Sequence, residues 1–240
     1  MRERDVTTFR VIGMGRAGGA LSIALSSVGW SALPSLGRGA DVGAAASGAD
    51  LVVIATPDRD IAPVARAIVP RDDTVIAHLS GALGLDVLAM HPRRASLHPL
   101  MTLPSAELGA ERLLAGAWFA VAGDALVEQV VDRLGGRALH VADEQRVRYH
   151  AAATIASNHV VALLGQVERI GALAGVPLAA YLDLVRASVD SVDRVGPRAA
   201  LTGPVARGDW ETVQRHVTAL PDDERPGYEA MAELAAKLVR

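Results

Sequence analysis

The sequence predicts an α/β protein: a mainly parallel, doubly wound sheet followed by an all-α C-terminal domain. Three observations predict it. Short apolar runs alternate with helical patterns through the first part of the 240-residue chain, as parallel strands and their crossover helices do. Beyond about Ala142 the strand pattern stops and only helical periodicity continues. Half of the residues are hydrophobic but aromatics are only 3%, so the core of this sheet is built from Ala, Val and Leu. The loss of strands divides the chain into domains 1–142 and 143–240.

Phe9 to Ile12 reads as a buried strand and Ala17 to Val28 as an Ala/Leu/Ile-rich helix stopped by Gly29. Trp30 to Leu36 is a short second strand. The interval from Arg38 to Ala49 holds one small Ala-rich helix and no extra strand, which trims the sheet on one side. Leu51 to Thr56 is a buried strand ending at Pro57-Asp58, followed by a helix from about Ile61 to Ile68. Thr74 to Leu79 closes on Ser80-Gly81, and Ala95 to Leu97 ends at His98-Pro99. Ala117 to Val121 and Arg137 to Val141 are later strands, with a helix from Asp124 to Leu134 between them. In the helical part, Glu144 to Ala174 is one long helix with a candidate break at Gly165. Pro177 to Val195 starts on a proline at its first position and is stopped by Gly196-Pro197. Asp209 caps a third helix, and Pro226 to Val239 forms the last.

Between the first strand and the first helix stands Gly13-Met14-Gly15-Arg16-Ala17-Gly18. In a nucleotide-binding βαβ unit the first glycine permits the tight turn and the second lets backbone approach a pyrophosphate. The third lets helix and strand pack closely. Amides at the helix start, favoured by its dipole, would face the phosphates. Gly13, Met14, Gly15, Arg16, Ala17 and Gly18 are therefore candidate dinucleotide ligands, the bland alternative being a plain tight turn. An NAD site carries an acidic residue about 20 residues further on. Here Gly37-Arg38-Gly39 offers none, although Asp41 is close. A guanidinium suits a 2′-phosphate, being planar, permanently charged and bidentate, so Arg38 favours NADP (NADPH) over NAD. The alternative is a solvated loop arginine.

Composition excludes other classes. A net charge of −3 gives no reason to expect nucleic acid as a partner. No apolar run reaches the length of a membrane span, and Met1-Arg2-Glu3-Arg4-Asp5 lacks a signal peptide's apolar core. Cysteine is absent, which removes disulfides, thiolate catalysis and Cys-based metal sites. The expectation is a soluble, cytoplasmic protein. No histidine pair has metal-ligand spacing and no H-E-x-x-H occurs, so no metal site is expected. Lys237 is the only lysine and lies near the C-terminus, so a mechanism needing an active-site lysine is not expected.

Open α/β sheets bind ligands beyond the carboxyl ends of their strands. Besides the glycine turn, those ends carry Thr56-Pro57-Asp58, Ser80-Gly81 and His98-Pro99. Thr56, Pro57 and Ser80 are candidate cofactor contacts. Ser80 is also a candidate catalytic group, against a turn serine, and His98 a candidate substrate contact, against a histidine bonding in a turn. On the long helix, His150, Thr154, Ser157 and Asn158 fall within an arc of roughly 100°. A polar stripe of this kind faces a ligand, water or a helix–helix seam, because unpaired buried polar groups are costly. His150 and Asn158 are candidate catalytic residues and Thr154 a substrate contact, whereas His159 points elsewhere and reads as structural. Arg207 is a candidate anion ligand or a packing arginine.

G-M-G-R-A-G, A-T-P-D, H-L-S-G-A-L, S-L-H-P-L, Y-H-A-A-A-T-I-A-S-N and A-L-T-G-P-V-A-R-G-D occur in that order along most of the chain. Together they resemble a two-domain family with a Rossmann-like N-terminal domain and a helical C-terminal domain of unknown function. That family is similar to ketopantoate reductases, including an alternative ketopantoate reductase, and to pyrroline-5-carboxylate reductases. The resemblance implies a homodimer joined through the helical domains and an active site between the two domains. It also marks a departure: where related proteins often carry a lysine, and related reductases use one as proton donor, this chain has Arg146. Arginine orients an anion but is a poor general acid, which leaves His150 as the expected donor and Arg146 or Arg207 as a carboxylate clamp. The leading expectation is an NADP-dependent oxidoreductase reducing a small, 2-dehydropantoate-like carbonyl acid. The alternatives are an imine reductase of the pyrroline-5-carboxylate type and a non-catalytic NADP-binding sensor or scaffold.

Overall fold

The structure, a computed structural model, describes residues 7–239, so the N-terminal segment Met1–Asp5 read above lies outside the described residues. Contacts divide the chain into two compact units, residues 1–157 and 158–240.

The first unit is a seven-stranded sheet of order β2-β1-β3-β4-β5-β6-β7. Its strands are β1 (Thr8–Ile12), β2 (Ser31–Ala32), β3 (Leu51–Ile54), β4 (Val75–His78), β5 (Arg94–Pro99), β6 (Trp118–Gly123) and β7 (Arg137–His140). All neighbours are parallel except β5 and β6, which run antiparallel. The helices of this unit are α1 (Arg16–Ser27), α2 (Asp58–Ala67), α3 (Ala106–Leu114), α4 (Leu126–Arg133) and α5 (Arg146–Thr154).

Side chains alternate across the strands, and both faces are covered. Leu51 and Val53 join Phe9, Val11, Leu21, Leu25 and Phe119 in one core. Val52 and Ile54 join Ile12, Ile61, Ile68 and Leu88 in the other. This two-sided burial explains why β3 reads as an unbroken apolar run. The order reverses at β1, so the carboxyl ends of β1 and β3 form the switch point where open sheets bind ligands.

Three elements depart from the sequence pattern. β2 shrinks to two residues plus a bridge between Ile12 and Leu36, because Pro34 has no N–H to give the ladder. The Ala-rich interval forms successive turns at 43–48 rather than a helix; Gly43 and Gly48 bracket it, the latter at φ +74°, and so short a run cannot carry helix nucleation. Finally, α3 was not anticipated. The hydroxyl of Ser105 accepts from Leu108 N and caps it. A Cβ on Gly19 would stand 2.8 Å from the Ala106 Cβ, and one on Gly109 2.7 Å from the Ala20 Cβ, so α1 and α3 pack through small residues.

The helical run that starts at α5 is not one regular helix. Ile155–His159 forms a π-helical turn before α6 (Val160–Leu173), so the break lies there and not at Gly165. The second unit continues with α7 (Leu178–Ala200), α8 (Gly203–Ala206), α9 (Trp210–Ala219) and α10 (Arg225–Val239). In α7, Gly196 at φ +77° followed by Pro197 interrupts the helix, where the sequence places its stop. Asp209 caps α9 through Thr212 N. Arg169 pairs with Glu224, whose carbonyl also accepts from Gln166 Nε2 at 2.9 Å. Among the described residues no helix is long and apolar enough to cross a membrane.

Candidate active site

The three glycines of the first turn are each required differently. Gly13 sits at φ +94°, and a Cβ there would lie 2.9 Å from the carbonyl oxygen of Ala55. Gly18 packs so tightly that a Cβ would come within 2.1 Å of the Gly13 carbonyl oxygen. Gly15 has an ordinary φ of −72° and nothing within 4 Å of where its Cβ would stand. Backbone strain and packing thus explain Gly13 and Gly18, whereas the space beside Gly15 is open. The start of α1 has no side-chain cap and no acidic residue in its first turn, so its amides and the positive end of its dipole are uncompensated.

Around this turn lie exposed Met14 and Arg16, partly buried Ala17, and Pro57 at the N-cap of α2. Thr56 Oγ1 is buried without a hydrogen-bond partner. Gly13 N donates to Leu36 O at 2.9 Å, which sets exposed Arg38 two residues beyond the glycine turn. Open space beside Gly15, free helix amides and an orphaned hydroxyl fit the pyrophosphate and ribose of a dinucleotide.

The ends of β4 and β5 carry a second cluster, which α5 completes. Arg146, Tyr149 and His150 stand at i, i+3 and i+4, so they share one helix face. Tyr149 Oη lies 2.7 Å from His98 Nδ1, and the two rings meet edge to face. The His98 and His150 rings are 5.8 Å apart, again edge to face. Both imidazoles rest on Gly81, where a Cβ would stand 2.7 Å from His150 Cδ2 and 2.8 Å from His98 Nε2. Burial, then the proximity of His150 and Arg146, pushes His98 down to about 4. Burial pushes Tyr149 up to about 12.

His78 and Ser80 shape the loop under this cluster. Ser80 N donates to His78 Nδ1 at 3.2 Å, so the ring proton is on Nε2 and points to Gly84 O, also at 3.2 Å. Burial lowers the His78 pKa. Ser80 Oγ donates to Asp58 Oδ2 at 2.8 Å and accepts from the amides of Ala82 and Leu83. Its proton is committed, so Ser80 acts as a loop anchor beside the site.

Arg146 corrects an expectation. Its side chain is 0% exposed, which places the guanidinium beneath the cluster rather than against a substrate. Nε donates to Asp143 Oδ1 at 3.0 Å and Nη2 to Ser96 Oγ, while Nη1 has no partner. Asp143 Oδ2 also accepts from Leu85 N, so the pair fastens the start of α5 to the loop after β4. The guanidinium is bound by Asp143 and Ser96, groups of the protein itself, which fits an anchor and not a clamp.

Thr154 is half-buried at the end of α5, and Ser157 Oγ donates to Ala153 O at 2.7 Å. The π turn inserts a residue and shifts the phase beyond it by about 100°, so the stripe through Ser157 and Asn158 does not run straight. Asn158, His159 and Arg207 are exposed residues of the second unit. The first unit therefore gathers Ser80, His98, Arg146 and His150 in one cluster. Sequence reasoning gave no role to Asp143, Ser96 or Gly81; only the Asp143–Arg146 spacing of three residues signalled a pair. Among the described residues no group of His, Asp or Glu is placed to hold a metal ion.

Residues 31–104 match a Rossmann-like domain, and residues 119–235 match a domain of unknown function (DUF2520). The chain is a two-domain Rossmann-like protein. This agrees with the family resemblance its motifs carry. A candidate NADP oxidoreductase from Bacteroides fragilis superposes with a TM-score of 0.80 at 18% identity, over 97% of this chain and 99% of that one. A protein from Thermotoga maritima gives 0.72 at 24% identity, over 96% and 98%. A reductive aminase from Aspergillus terreus, in complex with a reduced nicotinamide dinucleotide phosphate, cyclohexanone and allyl amine, gives 0.71 at 15%, over 97% and 94%. None of the curated proteins matches the sequence. These likenesses establish the fold.

Proposed function

We propose that this Rossmann-like protein is an NADP-dependent oxidoreductase that reduces a small carbonyl acid. The open space beside Gly15, at the uncapped start of α1 and the switch point of the sheet, carries the reading. The NADP oxidoreductase and the reductive aminase that share its fold over most of their length support it. Amides from Gly13 to Gly18 would hold the pyrophosphate, Arg38 the 2′-phosphate, and Thr56 Oγ1 and Pro57 the adjoining ribose side. When bound, NADPH supplies a hydride. The chain's own part is to orient the substrate oxygen and deliver a proton to it. His150 delivers that proton, next to His98 on the Gly81 backbone, and the reading rests on the first unit alone.

Cofactor choice tests it first. NADPH is expected to bind about 10- to 150-fold more tightly than NADH, the value of one charge-assisted bond, and Arg38→Ala should erase the difference. Equal affinities in the wild-type protein would refute the assignment of Arg38. A panel of 2-oxo acids beside a cyclic imine then separates carbonyl from imine reduction. Tight NADPH binding with no turnover of either would favour a sensor.

We also propose a homodimer through the helical part. Val161, Leu173, Leu184, Val189 and Val195 on α6 and α7 are 59–72% exposed in the single chain, and a contiguous apolar patch is what an interface between subunits covers. Light scattering at micromolar concentration should give twice the 25.0 kDa chain mass; a monomer would count decisively against it.

A further inference from the structure

His150 is not the only imidazole of the cluster, and His98 is held in a different way. It ends β5, half-buried, with Nδ1 2.7 Å from Tyr149 Oη. Its Nε2 has no hydrogen-bond partner among the described residues and lies over the Gly81 backbone. A 2.7 Å contact admits two arrangements, tyrosine donating to imidazole or imidazole donating to tyrosine. Tyr149 has one proton and no other acceptor within reach among the described residues, and a partly buried phenol O–H seeks an acceptor. A neutral imidazole that accepts at Nδ1 must carry its own proton on Nε2.

We propose that Tyr149 locks His98 as the uncharged Nε2–H tautomer, which makes His98 a fixed hydrogen-bond donor to a ligand's carbonyl oxygen. The groups facing His98 favour this uncharged state. Arg146 and His150 on α5 and His78 on β4 oppose a positive ring, only Asp58 at the start of α2 favours one, and burial outweighs it, leaving His98 at about 4. A neutral imidazole can polarise a carbonyl without becoming charged, and it does not titrate across the working range. It also discriminates. A carbonyl oxygen accepts from an N–H, whereas an iminium nitrogen has no free lone pair to accept with. The site thus suits a 2-oxo acid better than a protonated imine. For its ligand, though not for its tautomer, this inference rests on the reductase reading.

The test uses the full chain labelled with ¹⁵N-histidine and long-range proton–nitrogen correlation between about pH 5 and 8, with His98 assigned by its loss in His98→Gln. Wild-type His98 is expected as a single neutral Nε2–H tautomer throughout. Tyr149→Phe should leave it in mixed tautomers, while His78, fixed by Ser80 N and Gly84 O, keeps its own and reports an intact fold. An Nδ1–H tautomer or an imidazolium at His98 in the wild-type protein would overturn the proposal. So would an unchanged single tautomer in folded Tyr149→Phe. Faster turnover of a cyclic imine than of any 2-oxo acid would overturn the ligand assignment. NADPH titration of the same samples keeps the two readings apart: absent binding would sink the reductase while the tautomer stands.

Discussion

Gly15→Asp is expected to abolish NADPH binding while the protein folds normally. At φ −72°, with nothing within 4 Å of the Cβ position, any side chain fits in the free protein. Gly15 is the N-cap of α1, where aspartate is among the preferred residues, so the helix is expected to gain a few tenths of a kcal/mol. The same carboxylate would occupy the open space and set its charge against the pyrophosphate. Two like charges about 4 Å apart at an intermediate dielectric repel by roughly 4 kcal/mol, near a thousandfold in affinity. The neighbouring glycines differ. A Cβ on Gly18 would strike the Gly13 carbonyl at 2.1 Å, so Gly18→Ala should damage folding and binding together. Fluorescence titration with NADPH beside thermal unfolding separates the two. Undiminished affinity in folded Gly15→Asp would mean that the glycine turn is only a turn.

What was legible in the sequence is what depends on neighbours along the chain. Phe9–Ile12 followed by Gly13 to Gly18 declares its strand, turn and helix because period and turn chemistry are local. The strand ends at Thr56, Ser80 and His98 follow from the same alternation. The missing pieces depend on residues far apart. α3 packs on α1 through Gly19, Ala20, Ala106 and Gly109, a contact that no apolar stripe announces. The burial of Arg146 depends on Ser96, 50 residues away, and the role of Tyr149 on His98, 51 residues away. The shared face of Arg146, Tyr149 and His150 was readable from spacing alone, but a stripe extended at 100° per residue ran instead into the π turn at Ile155–His159.

His150→Ala is expected to lower kcat by about 10²- to 10⁴-fold, as removal of a positioned general acid does, with NADPH affinity near wild type. Arg146 is buried and bonded to Asp143 and Ser96, and arginine is a poor general acid. Tyr149, pushed up to about 12, gives its hydrogen bond to His98. His98, pushed down to about 4, is uncharged where the enzyme works, so it can polarise an oxygen but brings no surplus proton. His150 is the remaining imidazole of the cluster, and its ring stands 5.8 Å from His98 on the face that α5 turns toward the strand ends. Protonated, it delivers the proton that an alkoxide needs. An acid limb from His98 would appear only near pH 4. Full activity in His150→Ala on a substrate the wild type reduces would move the donor to Tyr149, His98 or an ordered water.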